Sequence, residues 1–590
     1  MLTASATGAT PVRIWWACLG ALCLMLLAPL LLTDVPPLLD YPNHLARMVI
    51  LAANGADPIL ARFYTPRWGI IPDLAIDAVT PMLLWVLPVH VAGRIMLGLV
   101  VLLPVLGTVA YSRAVLGRLT WWPLGCVLVA YNAALLQGFL NFTVGIGAAL
   151  LLAAAWLRWR EADPLRTLLL AIPGAVVLFF CHLMGLLFFA LLIGAHELTH
   201  VPALLRRPGA LFMRLVFAVP VFAVPVALYA YSHLSGMDGE PEYLSVTGKA
   251  AQLLIPFVNY SLPLDIATAV LVAGGLVVGV ATRRLWMPAR SAVALLLLTL
   301  LYLAAPFEFK GTYYLDSRFV VMLGFLLFGG MLPVALPRGG TWPIAAGMVV
   351  LFTVRMMVLG SAWLSHNHDL AQLRAVTAGV APGSSVFVTT VTPEEAPDYW
   401  DRGQAARRLS NGFRTDPHLP ALLLIERRAW WPFLFDNPSQ QPMETNQPYE
   451  DLADRVGSMP PHNDLEIPGR VDLCGFDNVL LLQAGAVPNL DAYASDRLVL
   501  VAAADAAALF RVRPDPACPS LSAGSRRGAD GAWGGKFVGG RFDRHGILRK
   551  DRSREARIPD TAPTPHVSAA GPNWGTKSRA ERRAIPSPPT

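Results

Sequence analysis

The sequence predicts a polytopic α-helical membrane protein of about 11 transmembrane helices, with a C-terminal extracytoplasmic α/β domain and a disordered tail. Three observations predict it. Of 590 residues, 55% are hydrophobic and only 15% charged, and mean hydropathy is +0.49, outside the range of soluble domains. Apolar runs able to cross a bilayer recur up to about residue 360. Arginines cluster between alternate pairs of those runs.

The first run, Val12 to Leu32, exceeds the apolar core of a signal peptide and is followed by no small-residue cleavage site, so it reads as an uncleaved anchor. Arg13 before it favours a cytoplasmic N-terminus. Further spans are expected near 93–112, 121–137, 141–157, 166–181, 183–197, 211–231, 264–281, 290–305, 318–336 and 342–360. Threaded alternately, they place Arg113 and Arg118, then Arg158, Arg160 and Arg166, then Arg206 and Arg207, Arg283 and Arg284, and Arg338 on the cytoplasmic side. Counting Asp73 to Val89 as a span would turn those clusters outward. It carries Asp77, Pro81 and Pro88, and reads as a surface helix instead. The first outer loop then runs over 34–90, with surface helices from Asn43 to Ala53 and from Asp73 to Leu87.

An odd number of spans puts residues 361–514 outside, after a transmembrane domain of residues 1–360. Short apolar runs such as Ser385-Val386-Phe387-Val388-Thr389 and Leu498-Val499-Leu500-Val501 read there as strands of an α/β domain. Residues 515–590 are rich in Gly, Arg, Ser and Pro without periodicity and read as a disordered basic tail. From Leu521 onward there are 14 Lys+Arg against 6 Asp+Glu, which leaves 33 against 34 in the rest. The formal +7 belongs to the tail, and nucleic acid is not an expected partner. Of six cysteines only Cys474 and Cys518 are placed to pair, if their domain is oxidised.

Reactive side chains concentrate directly after the first span, in Asp40-Tyr41-Pro42-Asn43-His44-Leu45-Ala46-Arg47. In a helix begun near Pro42, His44 and Arg47 share a face. Asp40 reads either as the cap of that helix or as a general base or ligand of a divalent cation, with Arg47 holding a phosphate. Asp34 is the rival base, or simply the polar stop of the first span. Other outer-edge groups are His182 in a tight turn, and Glu308, Lys310, Asp316 and Arg318 at the entry to the tenth span. These read as a membrane-edge ion-pair set, or with Lys310 and Arg318 binding a donor phosphate and His44, His182 and Asp316 lining the site. His366-Asn367-His368-Asp369 reads as solvated polar sequence, and Asn141-Phe142-Thr143 is a sequon too close to a span for modification. No Gly-rich phosphate loop, GxSxG elbow or HExxH stands in a setting that would use it.

The segment from Asp40 to Arg47 resembles the D-x-x-x-H/Y-x-x-R pattern in the first outer loop of the GT-C superfamily of membrane glycosyltransferases. Pro72-Asp73-Leu74 and Gly93-Arg94 are similar to its second surface helix and following span. The resemblance covers about residues 12–360, and implies transfer of sugar from a polyprenyl-phosphate donor to an envelope acceptor at the outer face, with Asp40 or Asp34 as base. It departs where other branches carry adjacent acids, here Asp40-Tyr41, and Ala429-Trp430-Trp431-Pro432 does not match the oligosaccharyltransferase motif. It also implies a multi-pass protein of a bacterial inner membrane, in contact with membrane lipid. No cofactor is specified, although a divalent cation is compatible with Asp40. The alternatives are a lipid or glycan transporter or flippase, or a non-catalytic envelope scaffold.

Overall fold

The computed structural model describes residues 12–236, 239–333, 338–390, 405–456, 472–487, 489–518, 540–542 and 548–550. Residues 1–524 form one compact unit and residues 525–590 a second. In the first unit thirteen helices matter here: α1 (Val12–Leu27), α2 (Tyr41–Ala53), α3 (Ala75–Leu84), α4 (Val89–Leu116), α5 (Leu140–Trp159), α6 (Pro164–Cys181), α7 (Leu183–Leu198), α8 (Pro208–Val216), α9 (Val219–Tyr231), α10 (Leu262–Ala281), α11 (Ala289–Ala304), α12 (Leu315–Gly329) and α13 (Arg338–Val376).

Helical structure stands at each of the expected spans, but not all of it is long enough to cross a membrane alone. Among the described residues six segments are: Val12–Leu31, α4, α5, α6, α10 and Pro343–Gly379. A seventh follows if α8 and α9, bent by 42° at their junction, are one span. The expected count of about 11 is therefore not reproduced. At 121–137 the reason is local: Pro123 and Gly125 favour a 3₁₀ run over Trp122–Val129. Asn132 then caps a new one-turn helix by accepting the Leu135 N–H. At 16 residues and about 1.5 Å per residue, α7 reaches about 24 Å.

Lipid explains what water would not tolerate on the outside of this bundle. Leu296, Leu300 and Leu303 follow one another along α11 and are more than half exposed, as are Val270, Leu271, Val277 and Val278 on α10. Inside, glycines let backbones approach. A Cβ on Gly107 of α4 would meet the Gly147 carbonyl of α5 at 2.7 Å, and one on Gly185 of α7 would meet the Gly145 Cα of α5 at 2.7 Å. Close contact of α4, α5 and α7 thus sets His182, at the start of α7, against Phe142 of α5, with ring centroids 5.6 Å apart.

Helices form at both places where surface helices were expected, as α2 and α3, but α2 is buried along most of its length. The boundary expected at residue 360 falls inside α13, which continues unbroken to Val376. Beyond 360 the helix buries Trp363, His366, Leu370 and Leu373, a helical period facing protein rather than lipid. His366 and Asp369 are accordingly not solvated: both are buried, and Asp369 pairs with Arg407.

The α/β part contains a four-stranded sheet. Its strands are β1 (Val386–Thr390), β2 (Asn478–Leu482), β3 (Leu498–Ala503) and β4 (Ala507–Val512), in spatial order β1-β2-β4-β3. β1 runs parallel to β2, with Val388 opposite Leu480, and the other pairs are antiparallel. Every residue of β1 and β2 is buried, as a parallel pair covered on both faces requires. Tyr64–Pro66 of the first loop adds an antiparallel pair with Met443–Thr445, so loop and outer region share backbone hydrogen bonds. Cys474 and Cys518, the pair that sequence allowed only in an oxidising compartment, form a disulfide. The disordered tail expected over 515–590 lies mostly outside the described residues. In the second unit Gly540–Phe542 pairs antiparallel with Leu548–Lys550.

Candidate active site

The motif from Asp40 to Arg47 opens α2, and each polar side chain in it has a separate partner. Asp40 occupies the cap position, yet its carboxylate makes no capping bond. Its carbonyl accepts the His44 N–H instead. Oδ1 accepts a hydrogen bond of 2.9 Å from Nδ1 of His418, whose ring is 5.0 Å from Phe435. Asn43 bridges to the same segment, donating to the Phe433 carbonyl and accepting the Phe435 N–H. Tyr41 packs where Gly93 leaves room.

Arg47 is fully buried and forms a two-pronged ion pair with the equally buried Asp77 of α3, at 2.7 and 3.1 Å. Its Nη2 also donates to Nδ1 of His44 at 2.9 Å. Burial, and then the adjacent Arg47 charge, holds His44 well below the ordinary imidazole range, so it is neutral. Arg47 and His44, expected to bind substrate, thus join α2 to α3.

Asp40 is held at its backbone by the turn between 136 and 138. Leu39 N–H donates to the Leu136 carbonyl and Asp40 N–H to that of Gln137. Gly138 has φ of +94°, and a Cβ there would lie 2.7 Å from both the Cβ and the backbone nitrogen of Asp40. Glycine is required twice over. Gly138→Ala is therefore expected to displace Asp40 and lower turnover about 10²-fold, with assembly in detergent, followed by size-exclusion chromatography, retained.

Asp73 sits on the far side of the same cluster. Its backbone φ is +86°, unusual for a residue with a side chain. Asn141 of α5 enforces this, Nδ2 donating to the Asp73 carbonyl at 2.6 Å while Oδ1 accepts the Ile76 N–H at the start of α3. Oδ1 of Asp73 is buried without a hydrogen-bond partner. Burial, only partly offset by Arg318 and reinforced by Asp77, pushes its carboxyl up to about 7.

Arg318, at the start of α12, interacts electrostatically with both Asp73 and Asp40. Nη1 lies 2.7 Å from Nε2 of His182, and the guanidinium stacks on Phe139 at 4.7 Å and Phe142 at 5.5 Å from the ring centroids. Two carboxylates thus lie within electrostatic range of one guanidinium, whose Nε has no hydrogen-bond partner.

The remaining expected residues lie apart from this cluster. Asp34 pairs with Arg374 at 2.8 Å, and Arg374 also pairs with Glu426 at 2.7 Å. Burial would raise the Asp34 carboxyl, but Arg374 outweighs it and holds it below the usual carboxylate range. Lys310 donates to the Ser235 carbonyl. Asp316 is fully buried and bonded to Lys249 at 3.1 Å and Gln252 at 2.9 Å. The set Glu308, Lys310, Asp316, Arg318 does not act as one group. His418 was invisible to spacing arguments, being 378 residues from Asp40. The signal available for Asp73 was its place between Pro72 and Leu74, before a surface helix. The donor set around Asp40 does not fit a divalent cation: His418 Nδ1 is bound to Asp40, His44 Nδ1 to Arg47, and the Arg318 charge already acts on both Asp40 and Asp73.

No family model matches this chain, and no curated protein does. Among solved structures, it is similar to some that cover most of its length. They are crystal structures of ArnT from Cupriavidus metallidurans. The one bound to undecaprenyl phosphate is 11% identical, covers 84% of this chain and 97% of its own, and has a TM-score of 0.44. The apo form is 12% identical, with 85% and 98% covered and a TM-score of 0.46. The reading of the site rests on its own geometry.

Proposed function

We propose that this protein is a membrane glycosyltransferase that moves a sugar from a polyprenyl-phosphate donor to an acceptor of the cell envelope, at the outer face of the bacterial inner membrane. The observation that carries the reading is the pair Asp40 and Asp73 within electrostatic range of Arg318, one carboxylate hydrogen-bonded by His418 and the other with a buried, unpartnered oxygen. Two carboxylates in unlike surroundings beside a guanidinium are the parts that an inverting displacement needs.

In that reaction Asp73 takes the proton from the acceptor hydroxyl as its oxygen attacks the anomeric carbon. The bond from that carbon to phosphate oxygen breaks, and the lipid phosphate leaves with the electron pair. Arg318 balances the departing charge and is oriented by His182 and the two phenylalanine rings. Asp40, held by His418 and the Gln137 carbonyl, adds a second negative charge within electrostatic range of Arg318. A carboxyl near 7 suits proton acceptance at neutral pH, whereas Asp34, held low by Arg374, is a weak base. The test is mass spectrometry of polyprenyl-phosphate sugars and envelope glycans in cells with and without the gene. Accumulation of one lipid-linked sugar with loss of one glycan modification is expected, and unchanged profiles of both would rule the reading out.

A further inference from the structure

At the other end of α5 and α7, away from Asp40, lies a second cluster that the transfer reaction does not use. We propose that His196, His200 and Glu161 form a binding site for a divalent transition-metal ion of the Zn²⁺ type. His196-Glu197-Leu198-Thr199-His200 sets two imidazoles four residues apart, hence on one side of the helix end. Glu161, from the turn after α5, comes to meet them. One donor atom from each residue lies within 4.8 Å of the others.

The observation pointing to a ligand is His196. It is 6% exposed, and neither ring nitrogen has a hydrogen-bond partner. A buried imidazole with nothing bound to it is costly, and a metal ion would satisfy one nitrogen directly. His200 is prepared for the same role. Its Nδ1 lies 3.0 Å from the His196 carbonyl, an outer-sphere hydrogen bond that leaves the Nε2 lone pair free. Tetrahedral Zn²⁺ with bonds of about 2.1 Å needs donor atoms about 3.4 Å apart, so the cluster must close by about 1 Å. Glu161, with 61% of its side chain exposed, is free to make that movement.

A resident cation competes with the ion. Arg214 of α8 donates to Glu161 at 2.6 Å, pairs through Nε with Glu197 at 2.5 Å, and has Nη2 3.3 Å from His200 Nδ1. A metal ion must take Glu161 from this guanidinium, so removing Arg214 should strengthen binding. The same contacts decide what the motif does. In metalloproteases the glutamate of HExxH is a free base, but here Glu197 also accepts from Trp156 and Arg160, at 3.1 Å each. Its carboxylate is occupied, and the site binds without hydrolysing.

The test uses the full chain, purified in detergent with any affinity tag removed, and titrated with Zn²⁺ while bound metal is measured by elemental analysis and calorimetry. About one Zn²⁺ per chain is expected. His196→Gln and His200→Ala should each weaken binding at least 10-fold, and Arg214→Gln should tighten it about 10-fold. Absence of stoichiometric Zn²⁺ from the wild-type chain, or binding that both histidine variants retain, would overturn the proposal. Because none of these residues belongs to the transfer site, the result is independent of whether sugar is moved.

Discussion

Asp73→Asn is expected to lower sugar transfer by about 10²- to 10⁴-fold, the range for loss of a positioned proton acceptor, and at the same time to stabilise the protein at alkaline pH. The two effects share one cause. In the folded protein the Asp73 carboxyl is raised to about 7, while in the unfolded chain it returns to the ordinary carboxylate value near 4. Folding therefore favours the protonated form. The stability contribution is complete below about pH 4 and is lost as pH rises through 7. Asparagine keeps the shape and never ionises, so the variant should match wild type at pH 4 and melt higher at pH 8.5. Thermal unfolding in detergent at the two pH values checks this without any substrate. Asp40→Asn should also impair transfer. An Asp73→Asn variant that keeps wild-type turnover would return the base role to Asp40.

Arg47→Met should be the most damaging single change to the fold, costing about 3–5 kcal/mol by leaving the Asp77 carboxylate buried and unpaired. Both side chains are wholly inaccessible, so no water replaces the lost guanidinium. His44 loses its donor in the same step. The double variant Arg47→Met with Asp77→Leu removes both charges and should recover most of the loss, because an apolar pair of similar volume needs no desolvation. Yield and melting temperature of the single and double variants distinguish this joint from a phosphate-binding role. Arg47 in that role would impair transfer in both variants equally.

Legibility from sequence followed the range of the interactions. The helices at each expected span, helices α2 and α3 in the first loop, the strands Val386–Thr390 and Leu498–Ala503, and the pairing of Cys474 with Cys518 all rest on short-range patterns or simple exclusion. Asp40 was legible as a site residue by its place after the first span. Its partner was not, because His418 sits in a segment whose own pattern is only a short helical turn. Arg47 and Asp77 looked like separate surface groups, since i to i+30 spacing carries no periodic signal. Lys310 and Arg318 looked like one set because they are close in sequence. The chain reverses between them, with Lys310 and Tyr314 both at positive φ, and sends Lys310 to Ser235 and Arg318 to His182. Helix length was misread where Pro and Gly interrupt an apolar run, as at 121–137.

The hydrogen bond from His418 to Asp40 has a consequence for biosynthesis. Asp40 leaves the ribosome early, and His418 follows only after 378 more residues have been made. If the first loop and the outer region lie on one side of the membrane, the site stays unfinished until the last spans are inserted and the late segment has been exported. A ribosome that stalls anywhere before that point leaves an inserted but inert fragment. Under the proposed function, donor lipid in the membrane is then out of reach of a half-made site.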